Sequence, residues 1–136
     1  MLNLANRSIL NKTFLADGVF SLITGMVLIV DAPPLAALAG PAISPIVMAA
    51  LGMGLLLWGA FHLVSARKGG PNIFAARISI GGDILWQIGS VTTLALAYGS
   101  LSAIGVGLII IGMIGVADFL YFKLRGIGQT HLKAAA

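Results

Sequence analysis

The chain has 136 residues, 59% of them hydrophobic and 9% charged, with a mean hydropathy of +1.05. A domain of that size cannot fold so much apolar surface away from water, so the bilayer has to be its solvent. Cysteine is absent, which excludes disulfides, thiolate metal sites and thiol nucleophiles. The net charge of +4 comes from eight Lys and Arg residues in short flanking segments without interleaved aromatics. That distribution suits anionic lipid headgroups and not nucleic acid.

Four segments, 14–31, 46–66, 78–97 and 101–122, each provide roughly the 20 apolar residues that a helix needs to cross about 30 Å of hydrocarbon. They are longer than strands and rich in Leu, Ala and Gly, which predicts an all-α protein: one compact bundle of four transmembrane helices. Arg7 and Lys12 precede the first segment as in a signal peptide. Asp17 and Gly18 interrupt its apolar run, however, and the run exceeds the usual length of about 7 to 15 residues, so a retained anchor is expected. The link 31–45 holds Pro33, Pro34, Pro41 and Pro45, which forbid one continuous helix and predict a short interfacial cap. Gly69, Gly70 and Pro71 mark a turn between the second and third segments, and Tyr98 and Gly99 a tighter one before the fourth. Residues 131–136, ending in three alanines, read as a frayed tail.

Basic residues divide asymmetrically. Arg7 and Lys12 precede the first helix, Arg67, Lys68 and Arg77 join the second to the third, and Lys123, Arg125 and Lys133 follow the fourth, whereas the other two links contain none. The positive-inside rule then puts both termini and the 66–77 link in the cytoplasm. An internal repeat is also visible: Leu51 to Ala60 aligns without gaps to Ile104 to Met113, and an Asp adjoins a Gly at Asp17-Gly18 and Gly82-Asp83. Two hairpins of like topology would then form the bundle.

Helices in lipid associate through close packing and interhelical hydrogen bonds, so small residues mark contacts. Each helix carries glycines seven apart: Gly18 and Gly25, Gly52 and Gly59, Gly82 and Gly89, Gly105 and Gly112. A spacing of seven returns to nearly the same face, and all eight are expected at helix contacts.

Ionisable residues inside apolar helices are costly and therefore informative. Asp17, His62, Asp83 and Asp118, one from each helix, fall at about 5 to 9 Å below the cytoplasmic surface at 1.5 Å per residue. Ser21 stands one turn from Asp17 and Gln87 one turn from Asp83, so a connected polar layer is expected, either fixing helix register or relaying a proton or ion. His62 is also the one intramembrane candidate for an axial ligand to a haem or pigment. Trp58 and Trp86 lie well inside their helices, where they fill space beside glycines; the Trp86 indole could also donate to a carboxylate of the layer. No zinc-protease, hydrolase-elbow or phosphate-loop motif occurs, and no enzyme, metal site or resident cofactor is expected.

The Asp17-Gly18 start, the Pro-rich apolar first link, the basic second link and the Asp83-Ile-Leu-Trp86 segment together resemble an uncharacterised group of small four-helix bacterial inner-membrane proteins. The resemblance implies the fold and that membrane and supplies no activity. Small multidrug transporters are also short four-helix proteins with an essential acid in the first helix. This chain differs from them in having three membrane acids and a one-sided basic distribution. The leading expectation is a structural or accessory membrane protein that packs with itself or with other membrane subunits through glycine-lined faces. A proton-coupled carrier of a small solute, using Asp17, Asp83 and Asp118, is the alternative, and a cofactor- or pigment-binding subunit is the third.

Overall fold

The computed structural model describes residues 5–134, and side chains over 5–132. It contains five α-helices and, among the described residues, no strand: α1 (Ile9–Val30), α2 (Ala32–Ala39), α3 (Pro45–Ser65), α4 (Ile73–Ala97) and α5 (Ala103–Ala134), with a 3-10 turn at Tyr98–Ser100. The four long helices cover the four expected segments. Side-chain caps explain why all four start where they do. Ser8 Oγ accepts the Asn11 N–H at 3.1 Å, Ser44 Oγ the Val47 N–H at 3.2 Å, Asn72 Oδ1 the Ala75 N–H at 3.1 Å and Ser102 Oγ the Gly105 N–H at 2.9 Å, each satisfying a backbone donor that helix geometry leaves unpaired.

Two elements depart from expectation. The 31–45 link contains a true helix, α2, because Pro33 and Pro34 fall in its first turn, where proline costs nothing. It stops at Gly40, whose φ of 110° disfavours any side chain. At the other end, α5 continues twelve residues past 122, so residues 131–134 of the expected frayed tail are helical. Ala135 and Ala136 lie outside the described residues, as does the side chain of Lys133. Hydropathy marks where lipid ends, and a helix does not have to stop there.

α1 and α3 run antiparallel with backbones in contact. A Cβ on Gly25 would stand 2.7 Å from the Gly52 carbonyl oxygen and one on Gly52 2.7 Å from that of Gly25; Gly18 and Gly59 face each other in the same way, at 3.2 and 2.8 Å. Gly82 makes room for the Trp58 ring, so α4 meets α3 there, and Gly105 for the Ala39 backbone, so α5 meets α2. The expected set needs correcting at its other members. Gly89 has nothing within 4 Å, and Gly112 has only an ordinary contact with Trp86 at 3.8 Å. The C-terminal half of α4 turns to the surroundings at Ile88, Val91 and Leu96, which is why its second glycine receives no neighbour. The glycines that the internal alignment pairs thus have different partners: Gly52 meets α1, and Gly105 meets α2.

The apolar core gathers at the loop-66–77 end, where Leu10, Phe14, Ala66, Ala75 and Ala76 are buried together. Asn11, fully buried, donates to the Ala66 carbonyl at 2.9 Å, and Arg7 donates to the same oxygen at 2.8 Å and to Asn11 Oδ1 at 2.6 Å. A cation on the last carbonyls of α3 complements the negative end of that helix. A second cluster of Ala32, Ala36, Ala39 and Met48 seats α2 on α3 at the opposite end.

Three helices are long and apolar enough to cross a membrane: Ile9–Val30, Pro45–Ser65 and Ala103–Leu132. α4 is as long, at 25 residues, but Arg77, Asp83, Gln87 and its Ser, Thr and Gly residues dilute its apolarity. Large side chains such as Leu57, Leu85 and Ile111 face outward from the long helices, as lipid requires and water would not tolerate.

Candidate functional site

Above the apolar core the four long helices converge on a buried ion centre. Lys123 of α5, with no exposed surface, donates to Asp17 Oδ2 of α1 at 2.6 Å and to Asp83 Oδ2 of α4 at 2.7 Å. Ser21, one turn along α1, donates to the other Asp17 oxygen at 3.0 Å. His62 of α3 places Nε2 3.4 Å from Asp17 Oδ2 and 2.6 Å from Ser79 Oγ of α4. Asp17, Ser21, His62, Ser79, Asp83 and Lys123 are all at most 4% exposed.

The surroundings are apolar. The His62 ring sits against Phe14, Trp58 and Phe61, with centroids 5.4, 5.0 and 5.3 Å away. Leu10, Phe14, Ala66, Ala75 and Ala76 seal the centre on the side of the basic loop, and the Gly18–Gly59 contact and the Trp58 ring in the Gly82 notch close it on the other. Charged hydrogen bonds are strongest where water is excluded, and an unpaired charge is most costly there.

Three of the four expected members of the layer meet here: Asp17, His62 and Asp83. The fourth does not. Asp118 is exposed on the outside of α5, about 140° around the helix from Lys123 by the 3.6-residue repeat. Five residues separate them, which places them on different faces, and the position facing inward belongs to the lysine. Asp118→Asn is therefore expected to leave the thermal midpoint of the purified protein unchanged; a clear drop would show that Asp118 does take part.

Gln87 is also placed differently. Its amide donates to the Met113 carbonyl on α5 at 2.8 Å and does not join Asp83. Trp86 packs beside Gly112, and its indole N–H is buried without a hydrogen-bond partner, so it does not donate to the layer.

Two residues of the centre, Lys123 and Ser79, were not anticipated. In sequence Lys123 reads as one of the charges that follow the last apolar segment, and Ser79 carries no signal beyond lying four residues before Asp83, on the same face of α4. The ammonium of Lys123 occupies the position between two carboxylates that a bound cation would take, and among the described residues no group of three or more His, Asp or Glu is arranged to hold a metal ion.

The packing around His62 does not suit a haem or pigment. Nε2 is engaged by Ser79 and Asp17, and three aromatic side chains occupy the space around the ring. Two surface clefts, one lined by Arg67, Lys68 and Asn72 and the other by Pro33, Ala36 and Pro45, include no residue of the centre. The chain matches no protein-family model, no curated protein and no solved structure.

Proposed function

We propose that this chain is a four-span structural or accessory protein of a bacterial inner membrane, with both termini in the cytoplasm, whose closed bundle docks against a second copy or against other membrane subunits. The observation that supports it is the closed ion centre. Each long helix contributes one ionisable side chain, and each of these is within 3.4 Å of a partner on another helix. Such a network fixes the register of the helices, the best-attested use of a buried polar group.

The centre also makes α4 compatible with lipid as the fourth span. Asp83 is paired with Lys123, Gln87 with a backbone carbonyl, and the Thr93 hydroxyl with the Gly89 carbonyl one turn back. Orientation follows from the basic residues that remain outside the centre: Arg7, Lys12, Arg67, Lys68, Arg77, Arg125 and Lys133 all flank the same end of the bundle.

The inward glycines are already filled by neighbours, so association falls to those left open. Gly54 on α3, Gly81 and Gly89 on α4, and Gly107, Gly115 and Gly128 on α5 have nothing within 4 Å. Gly107→Leu and Gly115→Leu are expected to disperse any oligomer or co-purifying complex in mild detergent while leaving the thermal midpoint in place. Assembly that survives both substitutions would remove this function.

A proton-coupled carrier of a small solute is the second proposal, favoured by one feature: two carboxylates meet a single ammonium inside the membrane. In this case the titrating pair is Asp17 and Asp83, without Asp118. Solute movement in proteoliposomes that persists in both Asp17→Asn and Asp83→Asn would eliminate it.

A further inference from the structure

We infer that the ion centre is a proton-binding site, holding one proton on the Asp83 carboxyl while Lys123 stays bonded to both aspartates. The inference goes beyond a register-fixing role and holds whether or not the chain moves a solute.

The groups that face one another are Asp17 and Ser21 from α1, His62 from α3, Ser79 and Asp83 from α4, and Lys123 from α5. With both carboxyls and the lysine ionised and the imidazole neutral, the centre carries one negative charge in excess. No water-exposed surface offsets it, since every member is at most 4% exposed. A buried centre of that kind balances its charge by taking up a proton.

Three groups compete for that proton, and hydrogen bonding decides among them. An imidazolium at His62 needs an acceptor for each of its two N–H groups. Nε2 has Ser79 and Asp17, but Nδ1 makes no hydrogen bond. The ring is also enclosed by Phe14, Trp58 and Phe61 and stands near the Lys123 ammonium. His62 therefore stays neutral.

Between the acids, the better-solvated anion remains ionised. Asp17 accepts from Lys123 and Ser21 and faces His62 Nε2, three groups in all. Asp83 accepts from Lys123 alone. A proton on Asp83 Oδ1 leaves Oδ2 free to keep the Lys123 hydrogen bond, and the charge of the centre goes from one negative to zero.

Infrared spectroscopy of the protein in lipid nanodiscs at neutral pH tests this directly, because a protonated carboxyl has a C=O stretch distinct from that of a carboxylate. One such band is expected in the unaltered protein. It should be lost in Asp83→Asn and also in Asp17→Asn, where a single carboxylate already balances Lys123, and it should persist in Asp118→Asn. Asp83→Glu should shift its frequency and Asp17→Glu should not, which assigns the proton to one residue with conservative changes. A spectrum of the unaltered protein with no protonated carboxyl overturns the inference. So does a nitrogen-15 spectrum showing His62 as imidazolium, or a band that moves with Asp17→Glu and not with Asp83→Glu.

Discussion

Lys123→Met is expected to destabilise the folded bundle by about 3 to 5 kcal/mol, the usual consequence of removing one partner from a buried ion pair. The side chains are similar in length, so packing changes little and the loss is electrostatic. Without the ammonium, Asp17 and Asp83 keep their places with no donor between them at a site where they are 4% and 3% exposed. Protonating both acids removes the repulsion but not the loss of two charged hydrogen bonds.

The triple variant Lys123→Met, Asp17→Asn, Asp83→Asn should recover much of the deficit, since a buried ionic group replaced as a whole by neutral side chains is often close to neutral in stability. Thermal unfolding in detergent micelles gives both numbers. A midpoint for Lys123→Met equal to that of the unaltered protein would show that the centre does not hold the helices together.

Acids within an apolar chain are legible in the sequence in a way that a lysine at its edge is not. An Asp within an apolar run stands out, because the membrane makes it costly and no topological rule moves it to a loop. A lysine at the end of such a run is taken as a cytoplasmic flank, and Lys123 lies one residue past the segment 101–122. The available signal was stoichiometric. Two acids at one depth, Asp17 and Asp83, with only a neutral histidine beside them, leave a charge unbalanced and call for a cation nearby. The continuation Leu124, Gly126, Ile127 also shows that the helix does not stop at Lys123, and a Cβ on Gly126 would stand 3.0 Å from the Leu10 backbone, so this turn is packed against α1.

The helices themselves were legible because a run of about 20 apolar residues has few alternatives. Their partners were legible only in part. Glycine spacing identifies a smooth face but not which neighbour comes to it, so Gly18, Gly25, Gly52 and Gly59 met one another, Gly82 met a tryptophan, Gly105 met the α2 backbone and Gly89 met nothing. Four prolines within 31–45 conceal α2 in the sequence. Two of them occupy a first turn, where they favour a helix, and Pro45 does the same for α3.

The same glycine, placed inward or outward, should respond to substitution with opposite sign, and Gly52 and Gly107 make the comparison. Replacing glycine in a helix contributes about 1 kcal/mol of stability through backbone entropy alone. At Gly107 nothing stands within 4 Å of the new Cβ, so Gly107→Ala should be neutral or stabilising. At Gly52 the Cβ would meet the Gly25 carbonyl oxygen at 2.7 Å, Ile29 Cγ1 at 2.8 Å and Leu28 Cβ at 3.0 Å. The Ile29 side chain could shift to make room, but Leu28 Cβ is fixed to its backbone and the Gly25 carbonyl belongs to a helix, so relief there means moving α1 as a whole.

Overpacking costs about 1 to 3 kcal/mol and more where backbone has to move. Gly52→Leu is therefore expected to lose about 3 kcal/mol net of the helix gain, enough to lower the thermal midpoint sharply, with Gly52→Ala intermediate. Because α1 carries Asp17 about two turns from this layer and α3 carries His62 nearly three turns from it, moving the helices apart also pulls on the ion centre. The Asp83 proton band and the midpoint should fall together in Gly52→Leu, whereas Gly107→Leu should leave both intact. A Gly52→Leu protein as stable as the Gly107→Leu protein would mean that α1 and α3 do not meet backbone to backbone.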